Sequence, residues 1–194
     1  GVSKVEYWIY HPEPDEDAKG TFDSHVTESV LDKQAGWKPF TGKVSIDPDR
    51  SGFVYLKVTD RAGNRAYINT ADGVISETTN PDDITITLDH QPARGTVYSG
   101  DVPFTVKVSD VKNGDTYSGL KDIRWTILKD GQETQSGTFN DGLERGARVR
   151  SQIGHATVEA KKNNSNNVVI RVDVTDWAGN TATKDLTFTY DTTA

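Results

Sequence analysis

Val168-Val169-Ile170-Arg171-Val172-Asp173-Val174-Thr175-Asp176-Trp177-Ala178-Gly179-Asn180-Thr181-Ala182-Thr183-Lys184-Asp185-Leu186-Thr187-Phe188-Thr189-Tyr190 reads as two β-strands joined at a corner. Val168, Ile170, Val172 and Val174 share one face, while Arg171, Asp173 and Thr175 share the other. A period of two marks a half-buried strand. Beyond Asp176–Asn180, Leu186, Phe188 and Tyr190 alternate with Thr187 and Thr189 in the same way. The device recurs earlier in the chain. Val54, Leu56 and Val58 lie on one face of Phe53 to Thr59, and Asp60-Arg61-Ala62-Gly63-Asn64 turns the chain into Arg65 to Thr70. Two copies of one closing hairpin imply two copies of one kind of domain.

In each corner, Gly and Asn are the residue types that take positive φ most readily, so Gly-Asn is expected to supply the left-handed turn positions. The leading Asp is placed to accept backbone N–H groups two or three residues on. These residues therefore shape a turn. A second reading has Asp60 or Asp176 also helping to hold a metal.

The chain has 194 residues, 34% of them apolar, a net charge of −7, and neither cysteine nor methionine. Abundant Thr, Val, Asp and Gly with little Leu favour strands and turns over helices. The apolar fraction suits the thin cores of small sandwiches. Cysteine-free composition fits an exported bacterial protein or a cytosolic one. The missing methionine, initiator included, is expected of a piece of a longer chain. Both halves are mildly acidic and lack a basic stripe, which argues against nucleic acid and against anionic lipid. No signal peptide and no apolar run of membrane-spanning length is present.

Val2 to Tyr10 opens as a strand, with Val5, Tyr7 and Ile9 on one face and Lys4, Glu6 and Trp8 on the other. His11-Pro12-Glu13-Pro14-Asp15-Glu16-Asp17 ends it as an acidic, proline-containing loop. Val26, Val30 and Leu31 share one face of an expected helix within Ser24 to Gln34, longer than two turns, capped by Asp23 or Ser24 and stopped by Gly36. Trp37 and Phe40 then cover one end of a core, and Val44 and Ile46 form a short strand. Asp47-Pro48-Asp49-Arg50-Ser51-Gly52 begins like a calcium loop, but the position that needs a bidentate Glu is Val58, in a core-facing strand. A plain β-turn is expected instead.

Glu77-Thr78-Thr79-Asn80-Pro81 follows the first hairpin and Asp191-Thr192-Thr193 follows the second, so the repeat includes its connector. Proline stiffens the joint, and the domains are expected at 1–80 and 81–194. In the second, Ile84, Ile86 and Leu88 form a strand, Pro92 to Gly100 a loop, and Phe104, Val106 and Val108 the next strand. Asp110 to Gly119 is a polar loop, Ile123, Trp125 and Ile127 a core strand, and Lys129-Asp130-Gly131-Gln132 a hairpin turn. Phe139 to Gln152 carries irregular strand or loop. Ala156, Val158 and Ala160 alternate as a strand, and Lys161 to Asn167 is a loop too polar to bury.

Together these stretches resemble tandem bacterial immunoglobulin-like (Big-type) domains of Gram-positive cell-surface proteins. In the first domain the resemblance rests on Val5-Glu6-Tyr7-Trp8-Ile9, Trp37, Ser45-Ile46-Asp47-Pro48-Asp49, Tyr55 to Asn64 and Asp72-Gly73-Val74-Ile75. In the second it rests on Ser118-Gly119-Leu120, Val172 to Asn180 and Asp191-Thr192-Thr193. The middle of the second domain, 131–167, departs from the pattern. The resemblance implies an all-β chain of two immunoglobulin-like β-sandwiches in tandem, the first with a short inserted helix. It implies a monomeric, extracellular spacer or presentation module of a large bacterial surface or secreted protein, flanked by other domains of that protein.

The alternative is a carbohydrate- or host-protein-binding module appended to a secreted glycosidase or adhesin, with Trp8, Tyr10, Tyr98, Tyr117 and Trp177 as candidate contacts. Enzyme chemistry is not expected. His11, His25, His90 and His155 are scattered, and no Ser, His and Asp grouping or glycine-rich phosphate turn has a recognisable spacing. No cofactor is expected, with one exception: Asp60, Glu77, Asp82, Asp83, Asp110 and Asp115 are candidate oxygen ligands for a calcium ion at the domain joint. The other reading is that these acids keep the joint soluble.

Overall fold

The structure is a computed structural model that describes residues 1–11, 26–70, 73–90, 92, 97–110, 116–144 and 146–190. The chain is mostly β-sheet and divides into two compact units. Unit 1 comprises Gly1–Thr78 with Lys112–Tyr117, and unit 2 comprises Thr79–Val111 with Ser118–Ala194. The expected loop over 12–17, the helix caps Asp23 and Ser24, His25, Asp72, Asp115 and the connector 191–193 lie outside the described residues.

Unit 1 is built on one five-stranded sheet. β1 (Val2–Tyr10) pairs antiparallel with β3 (Arg50–Asp60), and β4 (Arg65–Asn69) and β5 (Val74–Ser76) also pair with β3. The two-residue β2 (Lys38–Pro39) lies on the other edge of β1. Proline is tolerated there because an edge strand has one side without ladder partners. The expected strand at Val44 and Ile46 does not form. Phe40 donates its N–H to the Val5 carbonyl at 3.0 Å, and the chain then leaves the sheet through Gly42 at φ +100°.

The alternation in β3 is as expected, but the buried face is the other one. Phe53 and Tyr55 are buried, whereas Val54, Leu56 and Val58 are half-buried. Both faces carry large apolar groups, so the period of two could not choose between them. The choice is made by α1 (Glu28–Lys33), whose Leu31 closes on Phe53 and Tyr55 with Trp8, Tyr10, Val26, Trp37 and Tyr67 around them. This helix has six residues, less than the two turns expected. It starts after Thr27, and Val30 points to solvent at 50% exposure while Leu31 is 2% exposed.

Glu6 faces the aromatic side and is buried. Its carboxylate is held between Lys4 Nζ at 2.7 Å and Lys57 Nζ at 2.9 Å, and Lys57 also lies 4.4 Å from the centre of the Trp37 ring. The hydrogen bond from Lys4, followed by that from Lys57 and the charges of both, holds the Glu6 carboxyl below its ordinary value of 4.5. A depressed carboxyl contributes stability above its unfolded pKa and loses it as pH falls through the folded value. Unit 1 is therefore expected to weaken below pH 4.5. In Glu6→Gln that part of the acid limb should flatten in a urea titration repeated across pH; an unchanged acid limb would assign the loss to other groups.

Unit 2 has two sheets enclosing one core. β6 (Thr85–Leu88), β8 (Val102–Ser109) and β11 (Ser151–Val158) form an antiparallel sheet in the order β11-β8-β6. β7 (Val97–Tyr98), β9 (Leu120–Lys129), β10 (Gln132–Thr138), β12 (Val168–Asp176) and β13 (Thr181–Tyr190) form the other, in the order β10-β9-β12-β13-β7. Val102, Phe104, Val106 and Val108 of one sheet meet Ile123, Ile127, Val168, Ile170, Val172 and Val174 of the other. Each is at most 1% exposed. β12 alternates buried and half-buried along its whole length, as its sequence implies.

The hairpin at Asp130-Gly131 forms, with both residues at positive φ (51° and 83°). That is the handedness a two-residue hairpin loop requires. β7 appears inside the expected loop 92–100 and pairs in parallel with β13. The strand expected through Ala160 stops at Val158, and a one-turn helix α2 (Ala160–Asn163) follows. Asn163 is fully buried in a stretch that reads as too polar to bury. Its amide nitrogen donates to Gln135 Oε1 at 2.6 Å and to the Glu159 carbonyl at 2.9 Å, and its oxygen accepts from Thr134. Burial is tolerated because each polar atom has a partner.

Two glycines of the divergent segment are set by packing. A Cβ on Gly137 would lie 2.7 Å from the Trp125 ring across the β9–β10 pair, and one on Gly154 would overlap the Phe139 ring. Trp125 and Phe139 stack with centroids 6.3 Å apart.

Candidate functional site

The two corners share one hydrogen-bond pattern. Asp60 N–H donates to the Asn64 carbonyl (3.0 Å) and Gly63 N–H to the Asp60 carbonyl (3.2 Å); the same bonds at Asp176, Gly179 and Asn180 are 3.1 and 3.3 Å. Asp60 Oδ1 accepts the Ala62 and Asn64 N–H groups at 2.8 and 2.9 Å, and Asp60 Oδ2 accepts the Asn64 side-chain amide at 2.9 Å. Asp176 accepts the Asn180 N–H and side-chain amide, both at 2.8 Å. Gly63 and Gly179 are at φ +90° and +94°, whereas Asn64 and Asn180 are not left-handed. The second residue of Gly-Asn thus serves as an amide donor to the corner carboxylate, contrary to the expected shared positive φ. These bonds, the Asn64 side-chain amide first, hold the Asp60 carboxyl below its ordinary value.

A Cβ on Gly63 would meet nothing within 4 Å, so Gly63→Val costs strain alone. The expected loss is about 1–3 kcal/mol in unit 1. Thermal unfolding of the chain should show the unit 1 transition moving while that of unit 2 stays; equal movement of both would mean one cooperative body.

Both oxygens of Asp60 are engaged in its own corner. Asp82 and Asp83 are exposed, Glu77 is buried near the end of unit 1, and Asp115 lies outside the described residues. Asp49, of the discarded calcium-loop start, sits in a turn at φ 56° and accepts the Thr78 N–H and hydroxyl at 2.9 Å. In unit 2, Asp110 and Asp176 are both fully buried, with carboxylate oxygens within 4.8 Å of one another. Asp110 accepts the Gly119 N–H at 2.6 Å.

Around them the loops of unit 2 converge. The Gly119 carbonyl accepts the Trp177 N–H (2.9 Å), Ser118 Oγ the Ala178 N–H (3.0 Å), and the Arg150 carbonyl the Asp110 N–H (2.7 Å). This clamp presents Trp177 beside a cleft of about 500 Å³. Lys121 and Asp122 at the start of β9, Thr175 at the end of β12, and Asn140, Leu143 and Glu144 of the loop after β10 complete its lining. Asn140 is fixed at both ends of its amide: the oxygen accepts the Ile123 N–H at 2.8 Å and the nitrogen donates to Asp122 Oδ1 at 2.5 Å. Lys121 Nζ lies 5.4 Å from the centre of the Trp177 ring.

The other candidate aromatics have packing roles. Trp8 and Tyr10 belong to the unit 1 cluster, and Tyr98 is buried with its hydroxyl donating to the His90 carbonyl at 3.2 Å. Burial raises the Tyr98 hydroxyl above its ordinary pKa. Tyr117 is half-buried.

One grouping has no sequence signal, because its members lie on three strands or their ends. Thr105 Oγ1 donates to Asp89 Oδ1 at 2.7 Å and lies 3.0 Å from His155 Nδ1. The order is acid–hydroxyl–imidazole, so the Thr105 proton is already committed to Asp89 and the imidazole is not placed to remove it. Activation of a nucleophile needs the acid behind the imidazole instead. No protein-family model and no curated protein matches the chain.

Proposed function

We propose that the chain is a pair of non-catalytic β modules, immunoglobulin-like in kind, that space or present other domains of a large bacterial surface or secreted protein. The observation that carries the reading is the strand order of unit 2. β11-β8-β6 faces β10-β9-β12-β13-β7, and the first strand segments of the unit, β6 and β7, are divided between the two sheets. Trp125 on β9 packs edge-to-face on Phe104 of the facing sheet, 5.7 Å between centroids. Immunoglobulin sandwiches share this distribution of strands and a tryptophan on the corresponding strand. The matching corners of the two units support common descent of the pair, and the acidic, cysteine-free composition suits an exported bacterial protein.

The parallel pairing of β7 with β13 gives the spacer reading a mechanical test. Thr189 pairs with Val97 and Tyr190 with Tyr98. Pulling the unit by its ends loads these hydrogen bonds side by side in shear, whereas pulling a hairpin open loads them one at a time. Single-molecule stretching of the chain should therefore show a distinct rupture event for unit 2. Extension at low force without such an event would overturn the spacer reading.

A further inference from the structure

We propose that the cleft beside Trp177 is a binding site for a neutral saccharide. This goes beyond the spacer reading, and its test is independent of mechanics. The volume of about 500 Å³ lies within the range of small-molecule sites, about 300–1,000 Å³. Trp177 Nε1 is buried, so the indole offers the cleft carbon surface rather than its N–H. Leu143, 4% exposed, adds an apolar base. An indole face suits the C–H side of a pyranose ring.

Hydroxyl groups around such a ring need donors and acceptors together. Glu144 and Asp122 are acceptors, the Lys121 ammonium is a donor, and the Thr175 hydroxyl is either. Part of the set is held in place: Asn140 links the Asp122 carboxylate to the Ile123 N–H, the Thr175 backbone pairs with Asp122 across β12 and β9, and the backbone N–H of Trp177 is tied to Gly119. Pre-organisation of this kind lowers the ordering cost of a ligand. A cationic side chain is the rival occupant, since carboxylates beside an indole also suit it. Lys121 already places an ammonium by that ring, which disfavours a second cation and leaves a donor for a hydroxyl.

The test is saturation-transfer NMR on the whole chain with chitotriose, mannotriose and lactose at millimolar concentration, and with trilysine as the cationic probe. Transfer to at least one sugar is expected, with a shift of the Trp177 indole resonance. Trp177→Ala should weaken binding by about tenfold or more and Glu144→Ala by several fold. If Trp177→Ala does not fold, the indole shift in the unaltered chain and Glu144→Ala decide the question. No transfer to any of the sugars, sugar binding without an indole shift, binding undiminished in the variants, or a response to trilysine alone would overturn the proposal.

Discussion

Gly119→Val should destabilise unit 2 by about 3–5 kcal/mol, the combined effect of backbone strain and overpacking. Gly119 is at φ +89°, where a β-branched residue is strained whatever the space around it. The space is also taken. A Cβ there would lie 2.7 Å from Arg148 Cα and 2.8 Å from its carbonyl carbon. Backbone cannot swing aside as a side chain does, and Arg148 is itself left-handed at φ 45°. Leu120 N–H donates to the Val149 carbonyl at 2.8 Å, so the two segments are already bonded at the point of contact. Forcing them apart also loosens the bonds from Gly119 to Asp110 and from Trp177 to Gly119. Urea unfolding followed by tryptophan fluorescence measures the loss, with Gly63→Val as the strain-only reference. A loss no larger than that of Gly63→Val would show that the 146–150 loop yields freely.

Phe104→Ala is expected to remove about 3–5 kcal/mol from the same unit. Phe104 is 0% exposed and lies between the sheets, with Trp125 edge-on at an interplanar angle of 81°. Truncation removes burial and an aromatic pair, and leaves a cavity whose walls are strands fixed by ladders on both sides. Collapse of the site is therefore limited. A decrease below about 1.5 kcal/mol in chemical denaturation would mean that the sheets close over the gap, since the size of the penalty depends on relaxation.

The corners were legible because everything they need is local: an Asp, a Gly two residues before the next strand, and an Asn. Their inner assignment was not, because Asn64 and Asn180 act through side-chain amides, which composition cannot distinguish from a left-handed backbone. β12 was legible since three of its four outward residues, Arg171, Asp173 and Thr175, are polar. β3 misled as to its buried face because Phe53 and Tyr55 oppose Val54, Leu56 and Val58 with comparable apolar weight. β10, Gln132 to Thr138, gives no apolar stripe at all; it is an edge strand whose Gly137 exists to admit Trp125. Of the cleft, sequence singled out Trp177 alone. Lys121, Asn140 and Glu144 reach it only after β9 and β12 pair and the loop after β10 folds back.

The Asp130-Gly131 turn bears on the order in which unit 2 assembles. A two-residue loop already in the correct hand lets β9 and β10 find each other on the microsecond timescale of isolated hairpins. The corner at Trp177–Gly179 does the same for β12 and β13. Joining those hairpins, as in Val168 opposite Lys129, closes a longer loop, and bringing β7 to β13 closes nearly the whole unit. Loop-closure entropy rises with the length enclosed, so β7 is expected to seat on β13 after the two hairpins have formed. Until β7 seats, the edge of β13 offers unpaired backbone groups to any strand that reaches it.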